Sequence, residues 1–336
     1  MLDVTRLRVL AAVARHGSVT AAARALNYAQ PSVSHHLARL EAETGARLIQ
    51  RSGRGIRLTD AGRLLAGRAE EILGRLDAAE QELATHMGQR AQRIRLAGFP
   101  TALATLVPAA AARLRVSHPG IELLLAESEP LAALRMLRGG HVDVAVVFRY
   151  AQEGMVIGPP LDEEDGTRST LLLREPVHLV TGGQAAAGGS GQAPPGGSGQ
   201  GAAGGSGQGA ASGSGQRAAG MLAGYAGHRW IAGCERCRAH LLWQCEVAGF
   251  TPQIAFTTDD VMVAQALAAA GLGVALLPDL ALRVVRHRGI HAEPLPGASR
   301  EILALTYGEP PDPTAVEHLI NALTQASPEG SLPRTA

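Results

Sequence analysis

The hydrophobic period of this chain changes once, and that change limits what it can fold into. Up to about residue 88 the apolar residues recur at helical spacing, broken only by one short strand–turn–strand. From about residue 92, short apolar runs of strand character alternate with helical stretches. At 336 residues such a chain is read as two or three domains rather than one core. The expected fold class is α/β: an N-terminal all-α winged helix-turn-helix at 1–58, a long linker helix at 59–88 and a two-lobed, Rossmann-like domain at 92–326.

The first helix is predicted over Val4 to His16, with Leu7, Leu10 and Val13 inward and Gly17 placed to end it. Ser18 or Thr20 caps a short second helix, because a side-chain oxygen there takes up an orphan N–H. After a turn at Asn27 and Tyr28, a third helix opens at Gln30 and Pro31 and runs to about Glu43, before Gly45. Its inward residues are Val33, Leu37 and Leu40, and Ser32, His35, His36 and Arg39 are expected on a polar, basic outer face. Two short helices with a tight turn between them, the second bearing such a face, suit entry into a DNA major groove. Leu48 to Thr59 reads as a wing carrying Arg51, Arg54 and Arg57.

From Thr59 or Asp60 a long helix continues to about Met87. In it Leu65, Ala69, Ile72, Leu76, Ala79 and Leu83 step by alternating fours and threes. That heptad seam predicts pairing with another helix, so a homodimer or homotetramer is expected.

Beyond residue 92, strands near Ile94–Phe99, Ile121–Ala126 and Val142–Phe148 alternate with helices, and the pattern repeats from Trp230 to Leu277, with a last strand at Ile302–Thr306. Alternation of this kind predicts parallel strands with crossover helices. The expected lobes are about 92–170 with 298–326, and 171–297. Ligand is expected between them, at the carboxyl ends of the strands. Residues 184–220 break the pattern: Gly, Ala, Ser and Gln dominate, and Ser-Gly-Gln recurs at Ser190, Ser198, Ser206 and Ser214. With so little apolar surface this insert is expected to be disordered.

The net charge of +1 hides a polarity, for residues 1–58 hold nine arginines against three acids. The positive end is where a polyanion such as duplex DNA would bind. No apolar run approaches the roughly 18 residues of a membrane span, and Asp3, Arg6 and Arg8 near the start do not suit a secretory signal. A cytoplasmic location, with no membrane partner, is expected.

The run Gly17-Ser18-Val19-Thr20-Ala21-Ala22-Ala23, Leu26, Ala29-Gln30-Pro31-Ser32-Val33-Ser34, Leu37, Leu40-Glu41, Gly45, Leu48, Arg51, Arg54, Leu58-Thr59 and Ala61-Gly62 resembles the signature of the LysR-type transcriptional regulators. Leu106-Val107-Pro108, His118-Pro119, Gly140 with Asp143, and Gly271 to Ala275 with Pro278 agree in the second half. The resemblance implies sequence-specific duplex DNA binding controlled by a small-molecule effector held in a periplasmic-binding-protein-like domain, with RNA polymerase as a further candidate partner. It places Gln30, Pro31, Ser32 and Ser34 in the groove, with His35 and Arg39 on the same helix, and puts Arg51 and Arg54 of the wing on the backbone and minor groove. Ala29 departs from the Ser or Thr usual there, and His35 from a frequent Arg. By the same resemblance Pro100, Thr101, Ser128, Phe148 and Arg149 line one side of the effector site, and Gly233, Cys234, Thr258 and Asp259 the other.

Cys234, Cys237, His240 and Cys245 supply four potential zinc ligands, but on one helix Cys245 falls two turns away, which makes tetrahedral closure awkward. Ordinary buried thiols are the expectation, zinc or redox sensing the alternative, and no metal or cofactor is assigned. An enzyme is not expected, for there is no phosphate-binding glycine loop with its lysine, no Gly-x-Ser-x-Gly and no His-Glu-x-x-His. A solute-binding protein is opposed by the basic N-terminal segment.

Overall fold

The computed structural model describes residues 2–52, 55–87, 92–152, 155–157, 166–183 and 213–327. The N-terminal part is built from α1 (Val4–His16), α2 (Val19–Ala25) and α3 (Gln30–Thr44), then β1 (Ile49–Ser52) and β2 (Gly55–Leu58). Asp3 caps α1 by accepting from the Arg6 N–H at 3.1 Å, and Ser18 caps α2 by accepting from Ala21 N–H at 3.1 Å. Helix α3 has no side-chain cap at Ala29. It ends at Gly45, whose φ of 66° is one that a side chain would strain. Leu7, Leu10, Val13, Ala22, Val33, Leu37 and Leu40 form one buried core with Leu48. Strands β1 and β2 pair antiparallel as the wing.

Helix α4 (Asp60–His86) follows, with Thr59 accepting from the Gly62 N–H at 3.0 Å. Its first turns do not serve a partner. Ala69 is 0% exposed and Leu65 packs on the same core, against α1. The seam expected from Leu65 to Leu83 therefore divides: Leu65 and Ala69 belong to the chain's own core, while Ile72, Leu76, Ala79 and Leu83 face outward. Farther along, α4 lies on the second half of the chain. A Cβ on Gly74 would stand 1.3 Å from the Gly139 carbonyl oxygen, so only glycine permits this approach. Arg75 donates to the Arg138 carbonyl at 3.1 Å and covers the Tyr307 ring at 3.7 Å.

The remaining elements are β3 (Gln92–Gly98), α5 (Pro100–Leu103), α6 (Leu106–Ser117), β4 (Ile121–Glu127), α7 (Pro130–Arg138), β5 (Val144–Gln152), β6 (Met155–Ile157) and β7 (Thr167–Gly182). They continue with α8 (Gly213–Ala223), β8 (Arg229–Ala232), α9 (Glu235–Val247), β9 (Gln253–Thr257), α10 (Val261–Ala269), β10 (Val274–Pro278), α11 (Asp279–Val284), β11 (Ile290–Tyr307) and α12 (Thr314–Ala326). One sheet runs β4-β3-β5-β11-β7-β10-β8-β9, with β6 on β5. The expected parallel strands are present at each end, β3 with β4 and β5, and β8 with β9 and β10. The centre is antiparallel, made by the long strands β7 and β11, which serve both lobes.

Residues Thr167–Glu175 pair with Arg300–Tyr307 on one side, and His178–Gly182 with Ile290–Pro294 on the other, with a register shift between Pro294 and Ser299. Prolines 294 and 296 lack the N–H that would continue the ladder, which suits a bend there. We place the crossing between lobes at Pro176 and this shift rather than at residue 170. Of the expected disordered insert, residues 184–212 lie outside the described residues. Residues 213–220 are helical, in α8, because Ala218 and Leu222 at i,i+4 bury on the core and α8 packs against β11. Among the described residues no helix is long and apolar enough to cross a membrane.

Candidate functional site

Two surfaces carry the predicted residues. On α3, Val33, Leu37 and Leu40 point inward, which turns Gln30, Pro31, Ser34, His35 and Arg39 outward, while Ser32 and His36 are half-buried. His36 is held by stacking on Tyr28, ring centroids 6.0 Å apart. Each acid of the first 58 residues is used internally. Asp3 caps α1, Glu43 pairs with Arg6, and Glu41 accepts from the backbone N–H groups of Leu48 at 2.7 Å and Ile49 at 3.2 Å, fastening the wing to α3. The positive charge of Arg24, Arg39, Arg47 and Arg57, all exposed, is thus left without acidic neighbours from this part of the chain. Arg51 lies on β1 opposite Ile56, and Arg54 lies outside the described residues.

The second surface is a cleft at the strand ends between the lobes, a cavity of about 60 Å³ partly open to solvent. The loop after β3 brings Phe99, Pro100 and Thr101, that after β4 brings Glu129, and β5 brings Phe148. The other lobe contributes Gly233, Cys234, Cys237, Thr258 and Asp259. Arg300 closes the floor. Its Nε lies 2.6 Å from Glu175 Oε1, its Nη2 donates to Thr101 Oγ1 at 3.3 Å, and its guanidinium faces the rings of Phe99 at 5.0 Å and Phe148 at 4.8 Å. Burial is the largest influence and would lower its pKa, but Glu175, Tyr150 and Cys237 together outweigh it and the net shift is upward. Glu129 is shifted the other way for a carboxylate, raised by burial first and by Asp259 among its neighbours.

Of the residues expected in the effector site, Pro100, Thr101, Phe148, Gly233, Cys234, Thr258 and Asp259 line this cleft. Ser128 and Arg149 do not. Strand alternation sends Arg149 to the face opposite Phe148, where its Nε donates to Glu301 at 2.8 Å. The Ser128 N–H closes the β3 end by donating to the Gly98 carbonyl at 2.9 Å, one residue short of the cleft-lining Glu129.

Against known proteins, a family model described as bacterial regulatory helix-turn-helix protein, lysR family, matches residues 4–63, and one described as LysR substrate binding domain matches residues 87–194 and 215–328. The chain belongs to the LysR family. Among its relatives, the uncharacterized HTH-type transcriptional regulator YcgK of Bacillus subtilis is 29% identical over 84% of this chain and 82% of its own length. The regulator YvbU of the same organism is 32% identical over 45% of this chain. The chain spans only about half of some relatives' length, 52% of YvbU and 62% of the probable cat1 operon transcriptional activator of Acinetobacter lwoffii. In structure, the LysR-family regulator CbnR superposes with a TM-score of 0.60 at 18% identity, over 98% of this chain and 100% of that one, which establishes the shared fold.

In this LysR-family chain the cleft residues missed from sequence include Arg300, Glu129, Cys237, Leu276 and Pro278. Arg300 lies on the last long strand, and only the antiparallel pairing of β11 with β5, which sets Arg300 opposite Tyr150, brings it to Phe148. The signal for Glu129 was local, since it precedes Pro130 at a helix start.

Proposed function

We propose that this LysR-family chain is a transcriptional regulator: its winged helix-turn-helix binds duplex DNA at a promoter dyad, and a small molecule bound between its lobes controls that binding. The observation that carries this reading is the internal use of Asp3, Glu41 and Glu43, which leaves a basic face around an exposed α3. CbnR has been solved with its target DNA, and this fold relative supports the same use of α3 here. Gln30, Pro31, Ser34 and His35 would meet base edges, and Arg39, Arg51 and Arg54 the phosphates. Ile72, Leu76, Ala79 and Leu83 on α4 would join two copies, so that a two-fold pair of recognition helices meets successive major grooves. Such a protein works in the cytoplasm, with RNA polymerase as its downstream partner, and no catalytic role is assigned to it.

The cleft favours a small, partly apolar effector with hydrogen-bond donors or a positive charge. Glu129 and Asp259 line it, whereas the charge of Arg300 is already answered by Glu175. Asp260 occupies the start of α10 by accepting from Met262 N–H at 2.8 Å, so an anion would compete with a carboxylate there. Effector binding would shift lobe closure and, through α4, the spacing of the DNA-binding units.

The test is a gel shift with footprinting on the DNA upstream of its own gene, across a salt series. Protection of a dyad that weakens steeply with salt is expected, with Arg39→Ala reducing the log–log salt slope by about 1 for one phosphate contact. No binding to specific or random DNA at low salt would remove the regulator reading.

A further inference from the structure

Cys234 and Cys237 stand at the start of α9, Cys234 as its N-cap and Cys237 one turn in. That spacing turns both side chains to one side, with the sulfurs 2.9 Å apart. Both are half-buried and line the interlobe cleft, so a solute in the cleft reaches them. The third thiol, Cys245, is fully buried farther along the same helix. We propose that Cys234 and Cys237 are a redox-active dithiol, closed to a disulfide by exchange with a low-molecular-weight disulfide that enters the cleft.

The two thiols have different parts. Cys237 Sγ receives a hydrogen bond from Cys234 and another from the Tyr150 hydroxyl at 3.4 Å. Both favour its thiolate, and its pKa falls below the ordinary value, the Cys234 bond being the largest cause. Cys234 moves upward, through its bond to Cys237 and burial, and stays protonated. Cys237 is therefore the attacking thiolate and Cys234 the resolving thiol.

In the first step the Cys237 thiolate attacks one sulfur of the small disulfide, the S–S bond breaks, and a small thiolate leaves and takes a proton. In the second, Cys234 gives up its proton and attacks Cys237 Sγ in the mixed disulfide, expelling the second small thiol. Two protein thiols are oxidised, one small disulfide is reduced to two thiols, and nothing further is consumed.

The pair also joins the lobes. Cys234, on α9, stands beside the Glu129 carboxylate from the loop before α7, and Cys237 accepts a hydrogen bond from the Tyr150 hydroxyl on β5. Oxidation removes the Cys237 charge, so its bond to Tyr150 across the cleft weakens. Only this downstream effect on DNA binding rests on the regulator reading; the thiol chemistry does not.

The experiment incubates the native full chain with glutathione disulfide and, in parallel, with hydrogen peroxide, alkylates the remaining thiols and weighs the peptides. The expected result with glutathione disulfide is a peptide holding Cys234 and Cys237 that has lost two hydrogens, resists alkylation and is restored by dithiothreitol. Cys245, fully buried and pushed up to about 12 by that burial, should stay unreacted while Cys234 and Cys237 close. Cys234→Ser should trap glutathione on Cys237, and Cys237→Ser should take none. Circular dichroism and the protection of Cys245 show whether each variant is folded, and the wild-type masses decide the matter if one is not. Three free thiols after glutathione disulfide, or a disulfide formed by peroxide alone, overturns the proposal. The readout is mass, so a failure to bind DNA would remove the regulator reading and leave the dithiol standing.

Discussion

Glu175 and Arg300 are 2% and 3% exposed, and each makes the other tolerable in the core between the lobes. The second Glu175 oxygen accepts from the Leu280 N–H at 2.5 Å, so the same carboxylate that compensates the cleft arginine anchors the start of α11. Glu175→Gln leaves an uncompensated buried cation, and a loss of about 3–5 kcal/mol is expected in urea unfolding, partly restored in a Glu175→Leu, Arg300→Met double variant. His240 behaves oppositely. Stacked on Tyr150 at 4.0 Å and bonded to Gln244 at 3.1 Å, it is held neutral by burial, its pKa pushed down to about 3. The unfolded chain protonates it first, near the ordinary 6.5, so its contribution is complete above that pH. It is lost as pH falls toward about 3, by about 1.4 kcal/mol per unit. His178, also lowered by burial, acts in the same direction. Unfolding measured from roughly pH 4 to 7 should show that limb, and His240→Gln should flatten it.

Among the elements, α3 is one whose start lacks a side-chain cap. Ala29 has extended backbone, φ −71° and ψ 142°, and no side-chain oxygen to take up the first N–H groups. Ala29→Ser supplies one, so the N-terminal part should gain about 1 kcal/mol, read as a higher thermal midpoint. An unchanged midpoint would mean that the orphan N–H groups are already well solvated. The absence of that cap was legible in the sequence, because capping depends on one residue type at one position. The helix α8 was not. Gly213, Ser214, Gly215 and Gln216 continue the repeat composition, and what makes them helical is Ala218 and Leu222 finding an apolar surface on another part of the chain. The seam of α4 was legible as a period, but a period does not say which apolar residues a neighbouring element of the same chain will take.

For the whole molecule, that division of α4 sets the expected assembly. Ile72, Leu76 and Leu83 are 40%, 41% and 60% exposed, a stripe that a second α4 would cover. Leu76→Glu with Leu83→Glu should shift the protein from dimer to monomer in sedimentation velocity while leaving its circular dichroism unchanged. A dimer that persists would place the interface elsewhere. The winged helix-turn-helix, the wing, the long helix and the alternating second half were legible in the order of residues, because periodicity, caps and helix-ending glycines act over a few residues. Pro100, Thr101, Phe148, Gly233, Cys234, Thr258 and Asp259, which the family resemblance implied for the effector site, line the cleft. Long-range packing, in contrast, turns Arg149 away to Glu301 and brings Arg300 to Phe148, Thr101 and Glu175. It also takes Leu65 and Ala69 into the chain's own core. The arginine contacts depend on the register of two long antiparallel strands and join residues more than a hundred positions apart, and those of Leu65 and Ala69 depend on α4 packing against α1; no local pattern carries that information.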